Sequence, residues 1–345
     1  MALHQSIQRL LLIGAQLDTP PPAPIPPPPP RLQPLIDSLA PSHRDFDARA
    51  IRFGHRYRSG FWSIYLLSAL AVLCAMMPLA LGWDDLTSYM HSYAAGWVIA
   101  EILVIGAVWL IYRLGHRDDW QGEWLRARTV AEFTFYLPLI APLVDFSKTR
   151  DEAQWYSTVL AAGTHTTAPE EVIAVSRSNE PRTRELLAGA WNDPHFVVTY
   201  AAWAGGILQS QQAYHTRVAR RTHALRHRIH RLTAGLFALT ALCALMHLVV
   251  HSRWISLITT VFPALAAALH GALAQSEAYR LESASERVAM ELQKSVEQIR
   301  TVASTGAEEQ RPERLQSAVR EAVALILREH QDWYMLVRPH HLPLG

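Results

Sequence analysis

The chain has 345 residues, of which half are hydrophobic, and its formal net charge is only +2. Two cysteines are too few for a disulfide framework or a cysteine-based zinc site, and the small net charge gives no indication of a nucleic-acid partner. The hydrophobic residues are concentrated in four blocks of about 20 residues with almost no charge, the length that a helix needs to cross a bilayer core about 30 Å thick. The sequence therefore predicts an integral membrane protein.

The first 48 residues precede these blocks and hold two different segments. Residues 1–18 contain one short apolar run with no cleavage site after it, which predicts an amphipathic helix docked on another part of the protein rather than a signal peptide. The prolines of residues 19–30 predict a stiff polyproline II spacer, with an SH3-type ligand as the alternative.

The four apolar blocks form two pairs. Residues 61–83 and 94–112 are the first and second predicted spans, joined by a short acidic link. Residues 232–250 and 254–273 are the third and fourth predicted spans, and only three residues separate them. Because such short links join antiparallel neighbours, we expect two helical hairpins.

Arginines flank these hairpins on one side. Four precede the first span, four follow the second and six precede the third, whereas the two hairpin tips together hold only Arg253. Since Lys and Arg are enriched on the cytoplasmic side, we expect both termini and the central loop in the cytoplasm, with the hairpins in the bacterial inner membrane.

The segments outside the spans are also predicted to be helical. Residues 206–231 lead without a break into the third span, and apolar residues recur every three or four positions after the fourth span, up to residue 303. We therefore expect the fourth span to continue into a coiled-coil stalk, followed by a last helix over residues 313–337. The apolar run before Pro138 and Pro142 is too short to span, so it either packs on the stalk or lies at the membrane interface.

The predicted fold is an all-α membrane protein with four transmembrane helices in two hairpins, the second extended into a cytoplasmic stalk. Its parts are the short helix and proline-rich linker (1–48), the first hairpin (49–116), a cytoplasmic helical region (117–205), the second hairpin with its stalk (206–305) and a C-terminal helix and tail (306–345).

One carboxylate lies inside a predicted span. Glu101 is about two turns from the outer end of the second span, and His247 should lie at a comparable depth in the third. An ionisable group in a bilayer is costly and usually faces a bundle interior or a water-filled path. Glu101 and His247 are therefore candidates for a pore or gate, the alternative being a protonated glutamate close to the headgroups.

A proline provides a second candidate in the membrane. Pro263 leaves a backbone carbonyl of the fourth span without its helical donor and can kink the helix, with Thr259 and Thr260 one turn before it. Such kinks serve gates, but they are also common in ordinary membrane helices.

The helix before the third span carries both arginines and histidines. His223 and His227 share one face, as zinc ligands do, but no nearby carboxylate and no HExxH pattern completes a site, so we predict no metal. The arginines predict contact with anionic lipid headgroups; they are Arg217, Arg220, Arg221, Arg226, Arg228 and Arg231. Without a phosphate-binding loop or a GxSxG elbow, we expect no enzymatic activity, no catalytic residue and no cofactor.

Two stretches of the first half, RYRSGFWSIYLLSALAV and EILVIGAVWLIYRLGHRDDWQGEWLRARTVAEF, carry a family resemblance. They resemble the bacterial SLATT group, the two-transmembrane effector domains associated with SMODS and SLOG proteins. In that group a cytoplasmic helix with a Trp, an Arg and an Ala-Glu pair follows the hairpin, and the matching positions are Trp124, Arg128, Ala131 and Glu132. The second half is similar to the longer members of the group.

The resemblance implies a self-associating effector that perturbs or permeabilises the membrane in a bacterial conflict or anti-phage system. Longer relatives carry a nucleotide-sensing domain ahead of the hairpins, so here we expect a separate nucleotide-sensing protein to provide control. The alternative is a non-conducting membrane scaffold that recruits a cytoplasmic partner through its stalk and proline-rich tract.

Overall fold

The computed structural model describes residues 2–13, 15, 24–83, 91–144, 170–305 and 311–337. Within these ranges the chain forms nine α-helices and no β-strand. Four of the helices, α2, α3, α6 and α7, are long and apolar enough to cross a membrane, which confirms the predicted all-α membrane fold. The helices are α1 (Leu3–Leu11), α2 (Gln33–Leu81), α3 (His91–Arg117), α4 (Trp120–Ile140), α5 (Glu170–Leu187), α6 (Pro194–His247), α7 (Arg253–Gln275), α8 (Ala278–Thr305) and α9 (Arg311–Val337).

The membrane helices form the two predicted hairpins. The helix α2 packs against both α3 and α7, and α7 packs against α6, so α2 and α7 are the central pair. The first hairpin turns after Gly82, whose left-handed φ of 73° ends α2. The second turns between His247 and Arg253. The link between α2 and α3 lies mostly outside the described residues.

The two halves of the chain have the same construction. In each half one long helix, α2 with 49 residues or α6 with 54, runs without interruption from the helical region outside the spans into a segment of membrane-spanning length. The returning helix ends in a two-residue break, and a further helix then packs back on the long one, α4 on α2 and α8 on α6. The boundary predicted after residue 48 therefore lies inside α2.

The stalk does not continue the fourth span directly, although the sequence predicts that it does. Helix α7 ends at Gln275, and Ser276 and Glu277 separate it from α8. Glu277 has a φ of 51°, and Asp119, at the corresponding break between α3 and α4, has a φ of 40°. In the described part of the chain these are the only non-glycine residues with positive φ, a conformation that L-residues seldom adopt. The second hairpin thus extends into the predicted stalk, but through a two-residue break that the sequence did not indicate, because glutamate has no particular preference for positive φ.

The apolar run before the two prolines lies in the core of the helical region outside the spans. Leu137 and Leu139 are fully buried there, so of the two predicted alternatives the run packs inside the protein. The helix ends immediately after this run, so its last carbonyl groups have no donor within the helix, and side chains satisfy them. The carbonyl of Leu139 accepts from the hydroxyl of Tyr200 at 2.7 Å, and that of Pro142 accepts from the indole of Trp191 at 2.6 Å.

The described part of the proline tract is packed in part. Pro26 lies directly against Gly206 on α6, where a Cβ atom would collide with the proline ring. Leu32, just after the tract, is fully buried in the core of the helical region outside the spans. Pro26 and Leu32 therefore hold this end of the tract on the protein, while Pro24, Pro27 and Pro30 are exposed, and the role of the tract as a spacer stays a prediction.

Candidate functional site

A cavity of about 410 Å³ lies where α1, α2, α4, α6 and α9 meet the break between α7 and α8. It is close to the ends of the spans that carry the arginine flanks, on the predicted cytoplasmic side. Its wall combines aromatic side chains with an unusual number of basic ones, namely His4, His55, Arg58, Arg128, His215 and Arg221.

Trp124 forms the contact between α2 and α4 at this cavity. Its ring is only 7% exposed and stacks on Tyr57, with the ring centroids 5.6 Å apart. The guanidinium carbon of Arg58 lies over the indole at 5.1 Å from its centroid. Gly54 permits this approach, because a Cβ atom there would lie 2.8 Å from Nε1 of Trp124.

The other residues of the predicted family motif lie one and two turns further along α4. Arg128 forms an ion pair with Glu132 and lies 3.9 Å from a carboxylate oxygen of Asp47. Burial raises the pKa of the Glu132 carboxyl, and the neighbouring guanidinium opposes that shift. Ala131 is 2% exposed. Trp124, Arg128 and Glu132 thus line the cavity and Ala131 does not, while the functional role of all four stays a prediction.

Helix α1 forms one wall of the cavity, and this confirms that the N-terminal helix docks. His4, 4% exposed, lies with Nδ1 at 3.1 Å from the hydroxyl of Ser59 on α2. The side-chain oxygen of Gln8 accepts a hydrogen bond from Arg221 on α6 at 3.0 Å. Burial, together with the charges of Arg58 and its neighbours, lowers the pKa of His4 to about 3. His4 is therefore neutral at physiological pH.

A compact polar cluster joins α6 to α8 beside the cavity. Glu282, 9% exposed, accepts hydrogen bonds from Arg226 through Nε at 2.9 Å and Nη2 at 3.2 Å, and its Oε1 lies 2.6 Å from Nδ1 of His223. The expectation that no carboxylate lies near the paired histidines was therefore wrong. The carboxylate is occupied by Arg226, and within the described ranges no group of three His, Cys, Asp or Glu side chains could hold a metal ion.

The arginines predicted to contact lipid differ in exposure. Arg220, Arg221 and Arg231 are exposed, while Arg217 and Arg228 are half-buried. Arg226 is directed to Glu282 and to the ring of Tyr279 rather than to solvent. Lipid contact by the exposed members stays a prediction.

Glu101 and His247 lie on helices that are not neighbours. Glu101 is half-exposed on α3, which packs mainly on α2, whereas His247 is on α6, which packs on α7. Across the part of the chain that the structure describes, no hydrogen bond or ion pair joins the two side chains. The ring of His247 instead lies 5.6 Å from that of His251. A pore or gate at Glu101 and His247 stays a prediction.

Pro263 lies within α7, which is continuous from Arg253 to Gln275. The hydroxyl groups of Thr259 and Thr260 both donate to the carbonyl of Ser256, at 3.0 Å and 2.9 Å. Their hydrogen-bonding capacity is thus used within their own helix, a common arrangement in apolar surroundings. The gating role of these three residues stays a prediction.

Several cavity residues were not identified from the sequence. Arg58 was interpreted only as one of the charges flanking the first span, and His215 and Ser285 were not distinguished from other polar helix residues. The available signal was the position in the chain. Arg58 lies three residues before the first predicted span, and Arg226 lies in the corresponding segment shortly before the third span.

Comparison with known proteins places the second half of the chain in a family context. Neither a curated protein nor a solved structure matches the chain. Residues 207–333 match the family model SLATT_1, described as SMODS and SLOG-associating 2TM effector domain 1. The matched range contains about three quarters of α6, all of α7 and α8 and most of α9, and it does not include Trp124 or the rest of the predicted motif. Over residues 207–333 the chain is therefore similar to SLATT effector domains, and the predicted family resemblance is confirmed there.

Proposed function

We propose that the protein is a membrane effector that self-associates and permeabilises the bilayer, acting in a bacterial conflict or anti-phage system. The observation that carries this proposal is the similarity of residues 207–333 to a 2TM effector domain, in a chain with four helices of membrane-spanning length. The first hairpin has the same construction as the second, which lies in the matched range, so we assign both hairpins to one membrane-acting unit.

The surface of α3 supports self-association. Its apolar stretch is the least covered of the four, with only 6% buried, and Ile102 and Leu103 are 61% and 67% exposed. Glu101 precedes them on the same helix. A carboxylate at this depth is costly against lipid and is favoured where protein or water surrounds it. A second copy against α3 would supply such surroundings and would place Glu101 at a contact between copies.

Two observations favour the effector over the scaffold. Pro26 lies against Gly206 and Pro29 is buried, so part of the proline tract is already engaged within the chain. The apolar face of α8 is also covered, because Val288, Leu292 and Ile299 are buried in the core of the cytoplasmic region. We further propose that control comes from a separate nucleotide-sensing protein, and that the effector performs no enzymatic step.

The test is expression in bacteria with membrane potential and growth followed together, alongside an unrelated four-span protein at the same membrane level. The purified chain is also reconstituted in liposomes of phosphatidylcholine and phosphatidylglycerol that contain a quenched dye. We expect loss of potential before growth stops, and dye release that rises more steeply than linearly with protein density. Normal potential together with dye-tight liposomes, at full membrane insertion, would leave the scaffold as the better description.

A further inference from the structure

We propose that the cavity is a binding site for a phosphate ester, with Arg58 and Arg221 as its anion ligands. This inference concerns a ligand of the cytoplasmic region, and it holds whether or not the hairpins permeabilise a membrane.

Arg58 is a partly buried cation that has no counter-ion among the described residues. Its Nε donates to the carbonyl of Gly54 at 3.0 Å, and its guanidinium lies over Trp124. No ion pair joins Arg58 to a carboxylate among the residues that the structure describes. A charge removed from water in this way is stabilised when an ion of opposite sign occupies the adjoining space.

The second half of the chain contains an internal comparison for Arg58. Trp124 lies five residues after the positive-φ residue Asp119, and Glu282 lies five residues after the positive-φ residue Glu277. Each packs against an arginine of the long helix, Trp124 against Arg58 and Glu282 against Arg226. Arg226 thus has a carboxylate where Arg58 has an indole. The arginine is therefore neutralised by a carboxylate in the second half, at Arg226, whereas Arg58 in the first half packs on an uncharged ring.

The carboxylates of the cavity wall are occupied elsewhere. Glu132 pairs with Arg128, and Glu277 lies 3.7 Å from Arg280. The third, Glu329, also has a partner. Among the described residues, Arg221 reaches only the neutral amide of Gln8. The positive charge that faces the cavity without compensation therefore comes from Arg58 and Arg221.

Buried polar atoms around the cavity provide a second, independent observation. Ser285 is 1% exposed and His215 is 5% exposed, and both line the cavity. Within the described residues, neither the Ser285 hydroxyl nor Nδ1 of His215 has a hydrogen-bond partner, and the same is true of Nδ1 of His55. Buried polar atoms are nearly always satisfied in folded proteins, so atoms of this kind around one cavity indicate a polar ligand.

Size and lining define the class of ligand. A volume of about 410 Å³ is in the range of small-molecule sites and is larger than one phosphate group requires. The remaining wall includes the aromatic side chains of Phe61, Tyr136 and Tyr214, which suit an organic group attached to the phosphate. Arginine is well matched to phosphate because its planar donors pair with two oxygens. The ester has two possible sources, a soluble metabolite or the headgroup of a lipid in the adjoining bilayer.

The experiment uses the full chain in phosphatidylcholine nanodiscs. In the soluble arm, adenosine 5′-monophosphate is titrated by calorimetry, with adenosine as the uncharged control. In the lipid arm, nanodiscs contain equal amounts of phosphatidylcholine and phosphatidylglycerol, and lipid retained by the protein after transfer to detergent is identified by native mass spectrometry. Binding in the first arm identifies a soluble source, and retention of phosphatidylglycerol in the second identifies a lipid source.

We expect Arg58→Gln to weaken the observed binding by at least about tenfold, which corresponds to one lost hydrogen bond to a charged group. The matched control, Arg52→Gln on the same helix as Arg58, should bind as the wild type does, because Arg52 is exposed and is not part of the cavity wall. If Arg58→Gln does not fold, Arg221→Gln at an exposed position should give a weakening of several-fold. Failure of both arms, or unchanged binding in the arginine variants that fold, would overturn the proposal.

Discussion

Arg226 donates hydrogen bonds to both carboxylate oxygens of Glu282 and thereby fixes α6 to α8 just before the third span. Arg226→Gln leaves Glu282 largely buried without its cation, and we expect this to destabilise the protein by about 2–3 kcal/mol. The double variant with Glu282→Gln should be less destabilised than the sum of the single variants. Thermal unfolding in detergent measures these effects. Arg231→Gln on the same helix is the control, since Arg231 is exposed, and an equal effect of the two arginine variants would contradict the prediction.

His4 should make the docking of α1 depend on pH. The charged groups around it are Arg58 and His55 on α2 and Arg221 on α6, and all disfavour a protonated His4. Because the docked pKa of about 3 lies below the ordinary value of 6.5, docking is at full strength above pH 6.5. It should weaken about tenfold per pH unit as the pH falls from 6.5 towards 3.

The measurement is the anisotropy of a fluorophore attached to a cysteine at exposed Leu10, in a chain that lacks Cys74 and Cys243. His4→Gln, which cannot be protonated, should remove the pH dependence. The same slope in that variant would show that another group titrates.

Gly271 should be essential for the contact between the central membrane helices. A Cβ atom at this position would collide with the ring of Tyr65 on α2, whereas a Cβ atom at Gly235 on α6 meets nothing within 4 Å. We expect Gly271→Ala to cost about 1–3 kcal/mol of stability and Gly235→Ala to be close to neutral. Unfolding temperatures of the two variants in the same detergent test this, and equal temperatures would mean that the two helices adjust freely.

The four spans and their pairing could be predicted because each is a long apolar segment with charged flanks, a signal contained in consecutive residues. The cavity could not, since its wall combines residues as distant along the chain as His4 and Glu329. Trp124, Arg128 and Glu132 were identified only through the family resemblance. Arg58 could not be recognised from the sequence, because what distinguishes it is that no described carboxylate pairs with it, and this depends on packing. The break at Glu277 was missed because glutamate has no particular preference for positive φ.

The predicted orientation can be tested with two cysteines. In a background without Cys74 and Cys243, a cysteine at Ser252 in the second hairpin tip should react with an impermeant thiol reagent added to intact cells. A cysteine at Ser178 on α5 should react only after the cells are broken, because arginine-rich flanks favour the cytoplasm. Labelling of Ser178 alone in intact cells would reverse the topology. The other tip position suited to this test, Ser88, lies outside the described residues.

Conduction should depend on Glu101 if its carboxylate lines a path. Glu101→Gln removes the charge and should change ion selectivity or abolish toxicity while insertion remains normal. Glu101→Leu also removes the polar group and should abolish conduction. Val98→Leu, at an exposed position one turn earlier on α3, is the matched control and should be without effect. Conductance in planar bilayers, with membrane levels from fractionation, is the measurement, and wild-type behaviour in both Glu101 variants would exclude Glu101 from the path.

In each hairpin one membrane helix continues without a break beyond the span, and the other ends at a two-residue break. This difference has a mechanical consequence. A continuous α-helix resists twisting because its hydrogen-bond ladder links successive turns, so an axial rotation of the part of α6 outside the predicted span is transmitted into that span. Between α7 and α8 the ladder is interrupted at Glu277, which has a φ of 51°, so α8 can change its angle to α7 more easily than one half of α6 can change its angle to the other. The cavity is bounded by both α6 and this break. A change in the width of the cavity therefore twists α6 and bends the chain between α7 and α8.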